Sequence, residues 1–271
     1  MNYSIYKNII SFLLLSIISL IFQSDAFAVN PEKTYKAKPD KYNISYKELK
    51  ITTSDKYVIN IWDYGEKDNS LPIIIIAGGD AGNMGYNISY AFHLQKAGFH
   101  VISFDYRGFG ESQEFKSERG MLYYSEFSND LSAVIKYAKK NFQDQKIAVL
   151  GLSMGSIISF LAYKKNKYDY FIGDGVVHSP QVLADRWKSK GKIIKVPFLN
   201  ESLSKVIEDI KIPFLIFSGK KDTVTIPEDS KQLAVKSANR KIFEHEGGHL
   251  QGIAVLKDLY AEEIKKFIKQ F

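Results

Sequence analysis

The chain has 271 residues, 45% hydrophobic and 25% charged, enough for one large domain with a sizeable core and too apolar for intrinsic disorder. Its net charge of +7 comes from Lys and Arg that are scattered rather than bunched, which disfavours a nucleic-acid partner and leaves an affinity for anionic surfaces as the milder consequence. With no cysteine, disulfides, thiolate metal sites, a cysteine nucleophile and cysteine lipidation are excluded.

The first 28 residues read as a signal peptide. Lys7 precedes an uncharged apolar run from Ile9 to Phe22, and Ala26-Phe27-Ala28 is the small-x-small pattern after which a signal peptidase cuts. The run is short for a membrane span, which needs about 20 residues, so export to the periplasm or secretion is expected, with an uncleaved anchor as the alternative. The mature chain, residues 29–271, would then begin at Val29. Asn30 to Asn43 is polar, carries two prolines and reads as a leader to the domain.

From there the pattern is two strands, Ile44–Thr52 and Tyr57–Asp63, joined by a Thr-Ser-Asp turn into an N-terminal antiparallel hairpin. Leu71–Ala77 is a buried-type strand because its apolar run is continuous. A helix is expected over Ile88–Ala97, a strand over Phe99–Gly108 and a long helix within Leu122–Asn141. A strand ending at Ser153 leads into a helix starting at Met154. Further strands are expected over Tyr170–Ser179, Ile212–Asp222 and Arg240–His249, and a last helix over Ile253–Gln270. Strands alternating with helices give crossover units, hence an α/β fold: a mostly parallel central sheet with helices on both faces. The basic segment 181–209 breaks the rhythm. It is a small cap insertion above the sheet or a longer connection, and Arg186, Trp187, Lys188 and Lys190 in it either meet a membrane surface or form a solvated face.

Gly151-Leu152-Ser153-Met154-Gly155 is a G-x-S-x-G sequence lying between an expected strand and an expected helix. That context suits a nucleophile on a strained strand-to-helix turn, with neighbours crowded enough to require glycine. Ser156 and Ser159 fall inside the helix, where a hydroxyl is less exposed. A serine needs a base, and the base an orienting acid. Asp222 and His249 stand at the carboxyl ends of later strands, so the order Ser153, Asp222, His249 is the one a nucleophile-elbow architecture uses. His245, within a strand, reads as a structural or surface residue. Asp174 reads as backbone packing because glycines flank it. His178 either lines the site or is an ordinary loop histidine. An oxyanion formed on attack by Ser153 needs N–H donors, one from Met154 at the helix start and one from the glycine loop after the strand at Leu71. That loop, Gly78-Gly79-Asp80-Ala81-Gly82, fits neither G-x-G-x-x-G nor a P-loop, so phosphate binding is disfavoured.

Taken together with "DYRGFGES" (Asp105 to Ser112), "SGKKDTVTIP" (Ser218 to Pro227) and "EGGH", these motifs make the chain, from about Ile44 to its end, resemble the α/β-hydrolase superfamily, and within it the small-cap serine hydrolases of the lysophospholipase and monoacylglycerol-lipase type. The resemblance implies an α/β-hydrolase fold and a serine hydrolase acting on a carboxylic ester or thioester, with a small-molecule acyl ester or lipid as substrate and no metal or cofactor. Peptidase, amidase and acyltransferase chemistry on the same residues are the alternatives, and a non-catalytic binding protein is a further one. In such relatives the loop reads His-Gly-x, and the third position, Asp80 here, gives the second oxyanion N–H. Gly78 replaces the usual His. An acid at the donor position would repel a developing oxyanion, so the Asp80 side chain is expected to turn away toward loop N–H groups near Gly82 or Asn83. Arg107 is expected to fasten a loop near the site.

Overall fold

A computed structural model describes residues 28–65, 70–118, 120–199 and 202–271. Apart from Ala28, the expected signal peptide lies outside the described residues. The strands are β1 (Asn30–Pro31), β2 (Lys47–Thr52), β3 (Val58–Asp63), β4 (Ile73–Ala77), β5 (Ala81–Gly82), β6 (Val101–Phe104), β7 (Ile147–Leu152), β8 (Tyr170–Asp174), β9 (Phe214–Gly219) and β10 (Arg240–His245). The helices are α1 (Ile88–Lys96), α2 (Tyr124–Asn141), α3 (Met154–Lys165), α4 (Pro180–Lys188), α5 (Leu203–Asp209), α6 (Pro227–Ala234), α7 (Gly252–Leu256) and α8 (Asp258–Ile268).

Eight strands form one sheet in the order β10-β9-β8-β7-β4-β6-β3-β2. The pairs β2–β3 and β3–β6 are antiparallel, the former being the expected hairpin, and the remaining pairs are parallel. The parallel strands are apolar at nearly every position because both of their faces are covered. Ile73, Ile75, Val149, Phe171 and Ile216 point to one side, where Phe127, Leu131 and Val134 of α2 and Ile157 and Phe160 of α3 meet them. Ile74, Ile76, Leu150, Ile172 and Phe217 point to the other, against Ala91 and Leu94 of α1 and Tyr260 and Ile264 of α8. Ile73 to Ile76 are all fully buried, each contributing about 1.5–3 kcal/mol of apolar burial.

Three stretches differ from the sequence expectation. Several strands stop short, β8 at Asp174 rather than Ser179 and β10 at His245 rather than His249, so that the site residues stand on loops beyond the sheet edge. The last helix is broken at Lys257, whose φ of 52° no helix interior tolerates. The polar stretch after residue 29 is not a loose leader: β1 pairs in parallel with β5, and Pro39–Tyr42 forms a 3-10 turn.

Arg107 ties the carboxyl end of β6 to the rest of the molecule. Its guanidinium, 1% exposed, donates to Asp130 of α2 at 2.7 and 2.9 Å and to Asp55 of the β2–β3 turn at 2.7 and 3.0 Å, and stacks on the Tyr57 ring with 4.0 Å from Cζ to the ring centre. Asp130 is fully buried, whereas the Asp55 side chain is 37% exposed. Removing one member of a buried pair strands the other charge, so Arg107→Ala is expected to lower unfolding free energy by about 3–5 kcal/mol. Asp55→Ala should cost at most about 1 kcal/mol, as for a solvent-facing ion pair. Urea unfolding of the two variants, compared with the wild type, checks the contrast.

Candidate active site

The site is built where β4 and β7, adjacent at the centre of the sheet, end side by side. Ser153 sits between β7 and α3 with φ 50° and ψ −115°, a strained conformation for a non-glycine residue. The turn is tight because α3 starts against the end of β4: a Cβ on Gly155 would lie 2.0 Å from the Ala77 carbonyl oxygen. Ser156 locks the turn from within, its hydroxyl donating to the Ser153 carbonyl at 2.6 Å and accepting from the Val177 N–H at 3.0 Å. The two other helix hydroxyl candidates are thereby accounted for structurally, since Ser159 donates to the Gly155 carbonyl at 2.6 Å.

His249 Nε2 is 3.0 Å from Ser153 Oγ, and its Nδ1 is 2.9 Å from Asp222 Oδ2. The three residues, 96 and 27 positions apart in sequence, thus form one hydrogen-bonded chain. Asp222 accepts backbone N–H bonds from Val224 at 2.8 Å and Thr225 at 2.9 Å, and the Thr225 hydroxyl at 2.7 Å. Its burial alone would raise its pKa. The His249 contact and these hydrogen bonds outweigh that and hold the carboxyl below its ordinary value. Thr225 Oγ1 also lies 3.1 Å from His249 Nδ1, so it braces acid and imidazole together. Sequence reasoning passed over Thr225, although an aspartate side chain commonly accepts backbone N–H groups two or three residues on, which brings Thr225 against Asp222.

Asp80 lines a cavity of about 40 Å³ together with Ser153, Met154, Tyr124, Trp187 and Ala28. The N–H of Met154 opens α3, among the four donors a helix leaves unpaired at its start. The Asp80 carboxyl departs from the expected position. It makes no hydrogen bond with Gly82 or Asn83. Asn83 has its own work, its side chain accepting from the Gly85 N–H at 3.1 Å and donating to the Glu32 and Thr34 carbonyls at 3.1 and 3.0 Å. Desolvation raises the Asp80 pKa, while its own N–H and the nearby His249 pull it back. The acid therefore stays at the cavity.

His178 faces away, 3.4 Å from Asp229, which in turn binds Arg186 of α4 at 2.9 Å. His245 is buried, and its Nδ1 accepts the Gly247 N–H of a local turn at 3.1 Å. Asp174 lies beneath the site, 1% exposed, accepting from the Tyr90 hydroxyl at 3.0 Å while its carbonyl accepts from the Ser153 N–H at 3.1 Å. Gly175, at φ 64°, turns the chain away after it; a Cβ there would lie 2.8 Å from His249 Cε1. Among the described residues no group of His, Asp and Glu is arranged to hold a metal ion.

A mostly parallel sheet with a strained serine turn at the end of a central strand is the architecture of an α/β-hydrolase. The chain belongs to the family described as serine aminopeptidase, S33, whose sequence pattern matches residues 69–207, half of the chain. Among curated relatives it is 27% identical to an uncharacterised membrane protein of Saccharomyces cerevisiae over 85% of this chain and 82% of that one. It is 33% identical to the lysophosphatidylserine lipase ABHD12 of Gallus gallus over 35% of this chain and 24% of that one. The fold is shared with the Pyrococcus furiosus esterase Pf2001, with a TM-score of 0.74 and 20% identity over 91% of this chain and 99% of that one. It is also shared with an esterase of Exiguobacterium antarcticum, with a TM-score of 0.64 and 19% identity over 82% and 100%. The protein is an α/β-hydrolase enzyme that shares its fold with esterases and about a third of its length with a lipase.

Burial pushes the Asp174 pKa up to about 7, against the pull of its Tyr90 hydrogen bond. Between the ordinary aspartate value, about 4, and that raised value the folded state holds a proton that the unfolded state has lost, so stability falls as pH rises through this window, by up to about 1.4 kcal/mol per pH unit. Asp174→Asn removes that loss. Its urea midpoint is expected to improve relative to wild type on going from pH 4 to pH 8.

Proposed function

We propose that the protein is a serine esterase in which Ser153, His249 and Asp222 act as a catalytic triad. The observation that carries this reading is the continuous chain from Asp222 through His249 to a serine held in a strained turn at the end of a central strand. His249 takes the Ser153 proton as Oγ attacks the acyl carbonyl. The resulting imidazolium is stabilised by the carboxylate of Asp222, which holds Nδ1 protonated and Nε2 aimed at serine. The oxyanion is received by the N–H groups of Met154 and Asp80. His249 then gives its proton to the leaving alkoxide, and a water activated by the same imidazole releases the acid from the acyl-enzyme.

The size of the cavity beside Ser153, about 40 Å³, favours a short acyl group against Tyr124, Met154, Ile157 and Leu183. The substrate class we assign is a carboxylic ester with a small acyl part and a larger alcohol part outside. We further propose that the enzyme is exported under its N-terminal signal and works against an anionic membrane surface. Lys188, Lys190, Lys192 and Lys195 are all exposed along the cap, two of them over the Trp187 ring at 5.5 and 4.5 Å, and Phe198 beside them is 90% exposed. Cation and apolar group together suit a charged lipid interface.

A fluorophosphonate probe is expected to label the wild type and not Ser153→Ala. Asp222→Asn should lower kcat on the order of 10,000-fold by supplying the wrong imidazole tautomer. Across p-nitrophenyl esters, kcat/KM should fall from butyrate to decanoate. Aminoacyl amides turned over faster than any ester would replace this reading with a peptidase.

A further inference from the structure

The stretch from Ala28 to Tyr35 crosses the loop that carries Asp80 as a strap. The Asn30 N–H donates to the Asp80 carbonyl at 2.8 Å, and the Glu32 N–H to the Gly82 carbonyl at 2.7 Å. The Glu32 carbonyl accepts in turn from the Asn83 side chain at 3.1 Å and from the Gly110 N–H at 3.0 Å. The Tyr35 hydroxyl donates to Asp105, whose other oxygen accepts the Met84 N–H at 2.7 Å. Ala28, 1% exposed, forms part of the cavity wall with Asp80 and Ser153, and Val29 is 5% exposed. The bond between these two residues is the one that the Ala26-Phe27-Ala28 pattern marks for cutting.

We propose that the strap is a working part of the active site and that hydrolysis of the Ala28–Val29 bond completes that site, by opening the acyl cavity and placing the Val29 ammonium against the Asp80 carboxylate. This rests on the serine-esterase reading above. The cut consumes one water, sends the Ala28 carboxylate away with the leader, and leaves the Val29 nitrogen as a primary amine. With an ordinary pKa of about 8, it is protonated at neutral pH. The lost Ala28 methyl deepens the cavity. The new charge arises one residue, about 3.8 Å of chain, from Asn30, which is already bonded to the Asp80 backbone. An ion pair there draws the carboxylate off its own N–H, frees that donor for the oxyanion, and cancels a negative charge where negative charge must develop. Because both residues are buried once the strap is docked, the cut precedes docking.

The test compares a chain beginning at Val29 with the full chain carrying Ala26→Leu, which removes the small residue a leader peptidase reads, both in the same detergent. The Val29 form is expected to show about tenfold higher kcat/KM on p-nitrophenyl butyrate and an optimum shifted toward longer acyl groups. In the uncut chain, Asp80→Asn should recover most of the rate difference without moving the acyl optimum. Equal rates and equal acyl preference in the two forms, at equal fluorophosphonate labelling of Ser153, would overturn the proposal. Failure of both folded forms to label, with unchanged thermal midpoints, would overturn the esterase reading instead.

Discussion

The constraint on which the site depends is the backbone of Ser153. A side-chain-bearing residue at φ 50° is costly to hold, of order 1–3 kcal/mol, and the surrounding structure must over-determine it. Here it does so from three sides. The Ala77 carbonyl leaves no space at Gly155, the Ser156 hydroxyl clamps the Ser153 carbonyl, and the Asp174 carbonyl takes the Ser153 N–H. The turn thus inherits its rigidity from the centre of the sheet, where β4 and β7 are buried on both faces. Strain at one residue is offset by apolar packing over many.

Electrostatics around that turn are graded rather than uniform. Asp222 is given enough donors to stay ionised despite burial, which suits the part proposed for it beside His249. Asp174, only a strand away, receives fewer, and burial dominates. Asp80 stands between these extremes: the residue is exposed at the cavity mouth, crowding by its neighbours raises its pKa, and its own N–H and His249 oppose that. Three carboxyl groups near one serine would be mutually unfavourable if all were charged, and the number of hydrogen-bond donors aimed at each one separates them.

Much of this was legible in the sequence, and the reasons are physical. Continuous apolar runs at Ile73–Ile76 and Ile147–Leu150 announce doubly covered strands. Glycines at 151 and 155 announce the tight turn, and Asp222 and His249 follow strand patterns at their carboxyl ends. Exact strand ends were not legible. β8 ends early because Gly175 turns the chain to make room for a residue 74 positions later, a requirement local pattern does not carry. The strap was hidden for the same reason: its polar, proline-bearing composition reads as loose, and its partners are backbone groups about fifty residues away. Thr225 was not legible as a brace because its hydroxyl meets Asp222 and His249 only once the turn after β9 and the loop after β10 come together.

The strap also decides where this polypeptide can be tethered. Anything joined ahead of Val29 starts at the wall of the reaction cavity, within a few ångströms of the loop bearing Asp80. A carrier, label or immobilising surface attached there shares space with whatever enters beside Ser153. Phe271, half exposed just past the end of α8, packs on Phe267 and lies outside the cavity wall, so a handle on that side stays clear of Ser153.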